Sequence, residues 1–186
     1  MFKKLKKLED GHAYQQAGFT LLELLVVIGI IGLLASIIVI NLTGARKRAR
    51  DTKRIADVRT MQTAMEDYYG KNAKYPTIIG NLVTGGEISI WPQDPLAPSG
   101  TVCTGNSDNC YYYAYYTPVG TVGPQSYHIG ASLEDTTSLV LNQDRDCTST
   151  TGGGCPYNNA YTTGFAGADT ASCGGVAGKA CYDIAQ

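Results

Sequence analysis

The chain has 186 residues, with 15 Lys and Arg against 16 Asp and Glu, for a net charge of -1. A balance this close to neutrality excludes a protein organised around a strongly acidic or basic substrate, and the length suffices for one membrane element plus one modest domain. Charge is unevenly placed, however: Lys3, Lys4, Lys6 and Lys7 precede the most apolar stretch, and Arg46, Lys47, Arg48, Arg50, Lys53 and Arg54 follow it.

In chain order, residues 1–18 are basic and then polar, and they end in Gly18 directly against the apolar run. An ordinary secretory signal would carry its cleavage site behind that run instead. From Leu24 to Ile40 the sequence holds only apolar residues, Gly, Ala and one Ser. At about 1.5 Å per helical residue this covers most of a bilayer core. Glu23 sits in the first turn of the segment, where a carboxylate costs several kcal/mol unless something pairs with it.

Beyond Asn41 the pattern stays helical up to Pro76 and turns amphipathic. Ile55, Val58, Met61, Met65 and Tyr68 recur at three- and four-residue spacing and so share one face, which predicts packing against the helix's own domain. Gly70, Asn72 and Tyr75-Pro76 supply the stop. The expected divisions are a leader over 1–18, a transmembrane or filament-core helix over 19–44, its amphipathic continuation over 45–76, and a globular head over 77–186.

Breakers multiply after Thr77. Two strand-like runs, YYYAYYT from Tyr111 and YHIGASL from Tyr127, flank PVGTVGPQS as a hairpin loop, and SLVLN from Ser138 is a candidate third strand. The tyrosines of the first run predict a strand with one buried and one exposed aromatic face. The helical stripe offers the apolar cover such a sheet needs.

The six cysteines, Cys103, Cys110, Cys147, Cys155, Cys173 and Cys181, show no CxxC spacing, which fits three disulfides better than zinc and points to an oxidising, extracytoplasmic compartment. Six cysteines permit fifteen connectivities. Proximity along the chain favours Cys103 with Cys110, Cys147 with Cys155, and Cys173 with Cys181. The fold class is therefore α+β: a long N-terminal helix, its first half in the membrane, packed on a small antiparallel sheet with a disulfide-stapled, irregular C-terminal tail.

A short basic leader ending in Gly18, followed by FTLLELLVV with Phe19 first and Glu23 fifth, resembles the class III signal of type IV pilins and type II secretion pseudopilins. The resemblance continues in the YP that closes the helix, in PQDP at Pro92 to Pro95, and in YHIGASLE, which is similar to the sheet of the major pseudopilins. It implies cleavage between Gly18 and Phe19 by a prepilin peptidase and N-methylation of Phe19. It also implies an assembly ATPase and a platform membrane protein as partners, together with identical or related subunits in a helical filament. Phe19 and Glu23 are the assembly residues so implied. The subunit would reside in the cytoplasmic membrane with its head outside, and then in an extracellular or periplasmic filament. Many members carry proline at the position of Ile40; here Gly29, Gly32 and Asn41 to Gly44 are the weak points of the helix.

A type IV pilus subunit is the main expectation, because the cysteine-rich tail suits a surface-exposed pilin; a type II secretion pseudopilin is the alternative. A membrane-anchored ligand-binding protein is more remote. No enzymatic activity is expected: G-x-S-x-G, H-E-x-x-H and the phosphate-binding glycine loop are absent from the sequence, and His128 stands alone in a strand as a structural histidine. Asn142, Asp144 and Asp146 alternate as at the start of an EF-hand loop, but Cys147 stands where that loop needs Gly and Gly153 where it needs Glu. Related pseudopilins bind calcium; here a solvated acidic turn is expected, with no metal or cofactor assigned. DNA is a weaker partner for the arginine-rich segment than lipid headgroups or neighbouring subunits, because Asp51 and Asp57 interrupt it.

Overall fold

The computed structural model describes residues 18–98, 109–150 and 153–186. Helix α1 spans Leu21–Asn72, with helical residues at Gly29, Gly32 and Asn41 to Gly44. It ends where Ala73 turns left-handed at φ 53°, one residue past Asn72, with Tyr75-Pro76 preventing its continuation. The chain divides into two compact units, Met1–Leu42 and Thr43–Gln186, and α1 contributes to both.

In the second unit the short helix α2 (Gly80–Thr84) precedes strands β1 (Tyr112–Tyr116), β2 (Ser126–Leu133) and β3 (Ala180–Ala185), which form one antiparallel sheet in the order β1-β2-β3. Tyr113 faces Ile129 across the first pair, and Ile129 faces Ile184 across the second. SLVLN is not the third strand. Leu139–Gln143 forms a 3-10 helix, and the free edge of β2 pairs with the last segment of the chain instead. The tail is thus irregular only as far as Lys179.

Both faces of the sheet are buried. One carries Tyr111, Tyr113, Tyr127, Ile129, Ala131, Leu133 and Tyr182 against Val58, Met61, Ala64 and Met65 of α1, with Ile55 and Tyr68 at the margin. The helical stripe therefore covers the sheet as its periodicity predicts. The other face carries Tyr112, Ala114 and Cys181 beneath Cys147, Cys155, Tyr161, Phe165 and Cys173 of the tail. The tyrosines of β1 accordingly have no fully exposed face: Tyr112 and Tyr113 are buried, and Tyr115 and Tyr116 are half-buried. Gly130 makes the second cover possible, since a Cβ there would lie 2.9 Å from the Phe165 ring and 3.1 Å from the Cys173 sulfur.

Arg54 joins the helix to the rest of this unit. Its side chain is 2% exposed, and it donates to Asp94 through Nε (2.6 Å) and Nη2 (3.1 Å), and through Nη1 to Asp51 (2.7 Å) and Glu134 (2.9 Å). Arg50 forms a bidentate pair with Glu134 at 2.7 Å. Asp51 accepts the backbone N–H groups of Glu134 and Asp135. Burial opposes the Arg54 charge, but Asp94, Glu134 and Asp51 outweigh it and hold the guanidinium above its ordinary pKa.

Replacing Arg54 with Ala leaves buried carboxylates without their cation, and should lower unfolding free energy by about 3–5 kcal/mol in a urea titration. Hydrogen bonding to Arg50, joined by Arg54, holds Glu134 down at about 2 from its ordinary 4.5. Its folded pKa lies below its unfolded one, so its stabilisation is complete above about pH 4.5 and is lost as pH falls towards 2. Glu134→Gln should flatten the unfolding midpoint over that window.

Candidate functional site

The first turns of α1 hold the residues singled out at the N-terminal motif. Gly18, Phe19 and Thr20 precede the helix without regular structure, and Phe19 is 88% exposed. Thr20 and Glu23 form a capping box. Glu23 Oε2 accepts from the Thr20 N–H at 2.9 Å and from its Oγ1 at 2.7 Å, and the Glu23 N–H donates to Thr20 Oγ1 at 3.2 Å. The T-x-x-E spacing at Thr20 and Glu23 is the sequence signal of this box. Large apolar side chains from Leu21 to Ile37 are exposed all round the helix. A helix apolar on every side requires a bilayer or other helices around it. The side chain of Ile40 lies outside the described residues, as do residues 1–17.

In the second unit Cys147 is bonded to Cys155 and Cys173 to Cys181, the short-range pairs suggested by proximity. Cys110 is also disulfide-bonded, while Cys103 lies outside the described residues. His128 is fully buried and stacked on Phe165, with Nε2 2.6 Å from Asp183 Oδ2 and Nδ1 2.8 Å from Ser149 Oγ. Burial pushes the imidazole below its ordinary pKa against the opposing pull of Asp183, so the neutral ring donates Nε2–H to the carboxylate. The arrangement has the connectivity of a Ser-His-Asp triad, yet all three residues are at 0% exposure and Ser149 Oγ is also occupied by the Phe165 backbone. No substrate can reach it. Its visible work is to tie β2, β3 and the tail together.

Asp144, Asp146 and Asp169 bring carboxylate oxygens within 4.8 Å of one another. Asp144 Oδ1 and Asp169 Oδ1 are buried without a hydrogen-bond partner. Burial, then Asp183 and Asp169, push Asp144 up to about 7; burial, then Asp146 and Asp183, push Asp169 up to about 6. This is not the freely solvated turn expected from NQDRD. Asp169, about 25 residues downstream, completes a cluster of hard oxygen donors that suits a divalent cation such as calcium.

Comparison with known proteins places these features among relatives. The family described as "Prokaryotic N-terminal methylation motif" matches residues 14–39. The chain is 38% identical over 97 residues to the type II secretion system core protein G of Aeromonas hydrophila, a match spanning 44% of this chain and 68% of that protein. It is 46% identical over 83 residues to the core protein G of Escherichia coli, covering 45% and 56% respectively. A type IV wide pilus major component of Thermus thermophilus is 42% identical over 69 residues, covering 37% and 53%. No solved structure matches the chain.

The raised pKa of Asp144 sets a pH dependence. Its folded pKa of about 7 exceeds the ordinary 3.8, so the folded state retains a proton the unfolded state has released, and the carboxylate costs stability as pH rises from about 4 to 7. Asp144→Asn should therefore raise the urea midpoint at pH 8 and leave it unchanged near pH 4. Millimolar calcium should close that gap by stabilising only the wild type; an Asp144→Asn gain that is equal at both pH values would show that repulsion within the cluster is not its source.

Proposed function

This chain belongs to the type IV pilin and type II secretion pseudopilin family, and from that premise we propose that it is a structural subunit of a type II secretion pseudopilus, polymerising through the N-terminal part of α1. The observation that carries the reading is an apolar helix segment uncovered on every side and opening on Phe19 and Glu23, in a chain similar to secretion core proteins G. The names of those relatives favour the secretion system over the type IV pilus to which the cysteine-rich tail pointed. The pilus remains the second reading, supported by the similarity to the wide pilus component.

In this reading a prepilin peptidase cuts between Gly18 and Phe19 and methylates the new N-terminus. The subunit waits in the cytoplasmic membrane, and an assembly ATPase and a platform protein drive it into the filament. The Cys147–Cys155 and Cys173–Cys181 disulfides support a head that matures in an oxidising compartment outside the cytoplasm. The role is structural rather than catalytic, in keeping with a Ser149-His128-Asp183 cluster closed to solvent.

Cleavage would place a positive amine at Phe19, one turn before the Glu23 carboxylate. Staggering neighbouring helices by about a turn brings the Phe19 amine of one subunit to Glu23 of the next. In a dry bundle the loss of one member costs roughly 3–5 kcal/mol, whereas loss of a helix cap typically costs about 1 kcal/mol. Glu23→Ala and Glu23→Gln should be processed and membrane-inserted but fail to form filaments, Glu23→Asp should assemble partially, and Thr20→Val, which keeps the carboxylate but loses the Oγ1 bonds that orient it, should lower filament yield only partway. Filament yield per processed subunit is the measurement, and normal yield from Glu23→Ala refutes the contact.

A Cβ added at Gly18 meets nothing within 4 Å among the described residues, so no clash at that atom competes with an effect on processing. Gly18→Leu should consequently accumulate as full-length precursor in the membrane. Intact mass showing Met1 retained in wild-type filaments would overturn the processing step.

A further inference from the structure

Six basic residues follow the apolar segment, and the structure divides them. Arg50 and Arg54 are committed to Glu134, Asp51 and Asp94 inside their own unit, and Lys53 bonds to Asp57 at 2.6 Å and to the Gln93 carbonyl at 3.1 Å. Arg46, Lys47 and Arg48 are exposed. Among the described residues Arg48 Nε lies 3.8 Å from Asp135 Oδ2, and the Arg48 side chain remains 80% exposed.

We propose that Arg46, Lys47 and Arg48 form a cationic collar that selects anionic phospholipid headgroups where α1 leaves the bilayer. Three features of the helix favour a lipid surface over a single neighbouring chain. Consecutive residues step by about 100°, so the trio spreads over roughly 200° of the circumference, which suits a surface surrounding the helix rather than one partner along a stripe. Arg46 stands six positions after Ile40, about 9 Å along the axis, and headgroup layers occupy roughly the first 5–8 Å beyond the hydrocarbon. Side chains on a helix lean towards its N-terminus, here the direction of the bilayer, so the long Arg and Lys stems reach back across that remaining distance.

The inference rests on the membrane-inserted stage of the proposed function, and its test separates the two. The full chain is reconstituted at high lipid dilution in phosphatidylcholine vesicles containing about a third phosphatidylglycerol. Resistance to carbonate extraction reports insertion. Spin-labelled phosphatidylglycerol and phosphatidylcholine then report the relative occupancy of the first lipid shell. The wild type should prefer the anionic label by roughly threefold or more, and lose most of the preference in about 0.5 M salt. Changing Arg46, Lys47 and Arg48 together to Gln should bring the ratio near one. Arg59→Gln, eleven positions beyond Arg48 and about 16 Å further along the helix, should leave it unchanged. If the triple variant does not insert, the single Gln variants carry the comparison, each lowering the ratio partway.

An inserted wild type without preference, or a preference the Gln variants retain, overturns the collar. The second result would assign selection to the lysines of residues 1–18. A wild type without preference whose triple variant nonetheless loses filaments would assign the collar to acidic side chains of a neighbouring subunit instead. Failure of the wild type to resist carbonate extraction would refute the membrane stage itself.

Discussion

A buried guanidinium organises the second unit. Arg54 reaches three carboxylates from three parts of the chain: Asp51 one turn back on α1, Asp94 in the segment after α2, and Glu134 just past β2. Burying one such charge unpaired would cost several kcal/mol, so segments distant in sequence must arrive together for any of them to be stable there. The apolar contacts of Val58, Met61 and Met65 supply area, but area tolerates sliding. A bidentate Asp94 pair and a shared Glu134 do not, because guanidinium geometry fixes angle as well as distance. Helix register against the sheet is set here.

The opposite face of the sheet is held by a different kind of constraint. The tail is rich in Gly, Thr and Ser, and among the described residues Phe165 and Tyr161 are the large side chains it buries beside its disulfides. Two bridges, each with a sequence separation of eight residues, offset part of its chain entropy, by roughly 2–3 kcal/mol apiece in the chain-entropy treatment. His128 and Asp183 then supply directional bonds that a small apolar cluster lacks. Asp183 accepts from His128 and from the N–H groups of Asp146 and Cys147, so the loop bearing the acidic cluster hangs from the same carboxylate as the buried histidine. A thin core is made specific by polar groups that are satisfied rather than by further apolar volume.

What was legible in the sequence was what depends on local period. The stripe from Ile55 to Tyr68 has only one consistent face, and the runs at Tyr111 and Tyr127 are aromatic and bounded by breakers, so α1, β1 and β2 follow directly. What was not legible depends on partners far along the chain. ACYDIA at Ala180–Ala185 alternates correctly, with Tyr182 and Ile184 on one side and Cys181 and Asp183 on the other, but it is short and follows a glycine-rich tail. SLVLN has a comparable pattern, and only the pairing of β2 decides between them. Arg54 is indistinguishable in sequence from the exposed arginines beside it. Asp169 joins Asp144 and Asp146 only because the tail folds back. The second face of β2 carries the small or polar residues His128, Gly130 and Ser132, so no apolar period there announced the tail that buries the strand completely.

The capping box changes what is required of Glu23. A carboxylate at the head of an apolar helix can be regarded either as a complement to the helix's own N-terminal dipole or as a ligand for another subunit. The geometry makes these compatible, because both bonds from Thr20 fall on Oε2, leaving Oε1 for a second donor. A glutamate free to rotate would lose about 1.5–2 kcal/mol of side-chain entropy on entering an intersubunit pair. Here most of that loss has already been offset within the single chain by hydrogen bonds the helix terminus needs in any case. The incoming amine meets a carboxylate whose direction is fixed, and preorganisation of this kind strengthens a contact without adding one. Thr20 thus acts on assembly through Glu23: it contributes no contact to the neighbour but positions the side chain that does.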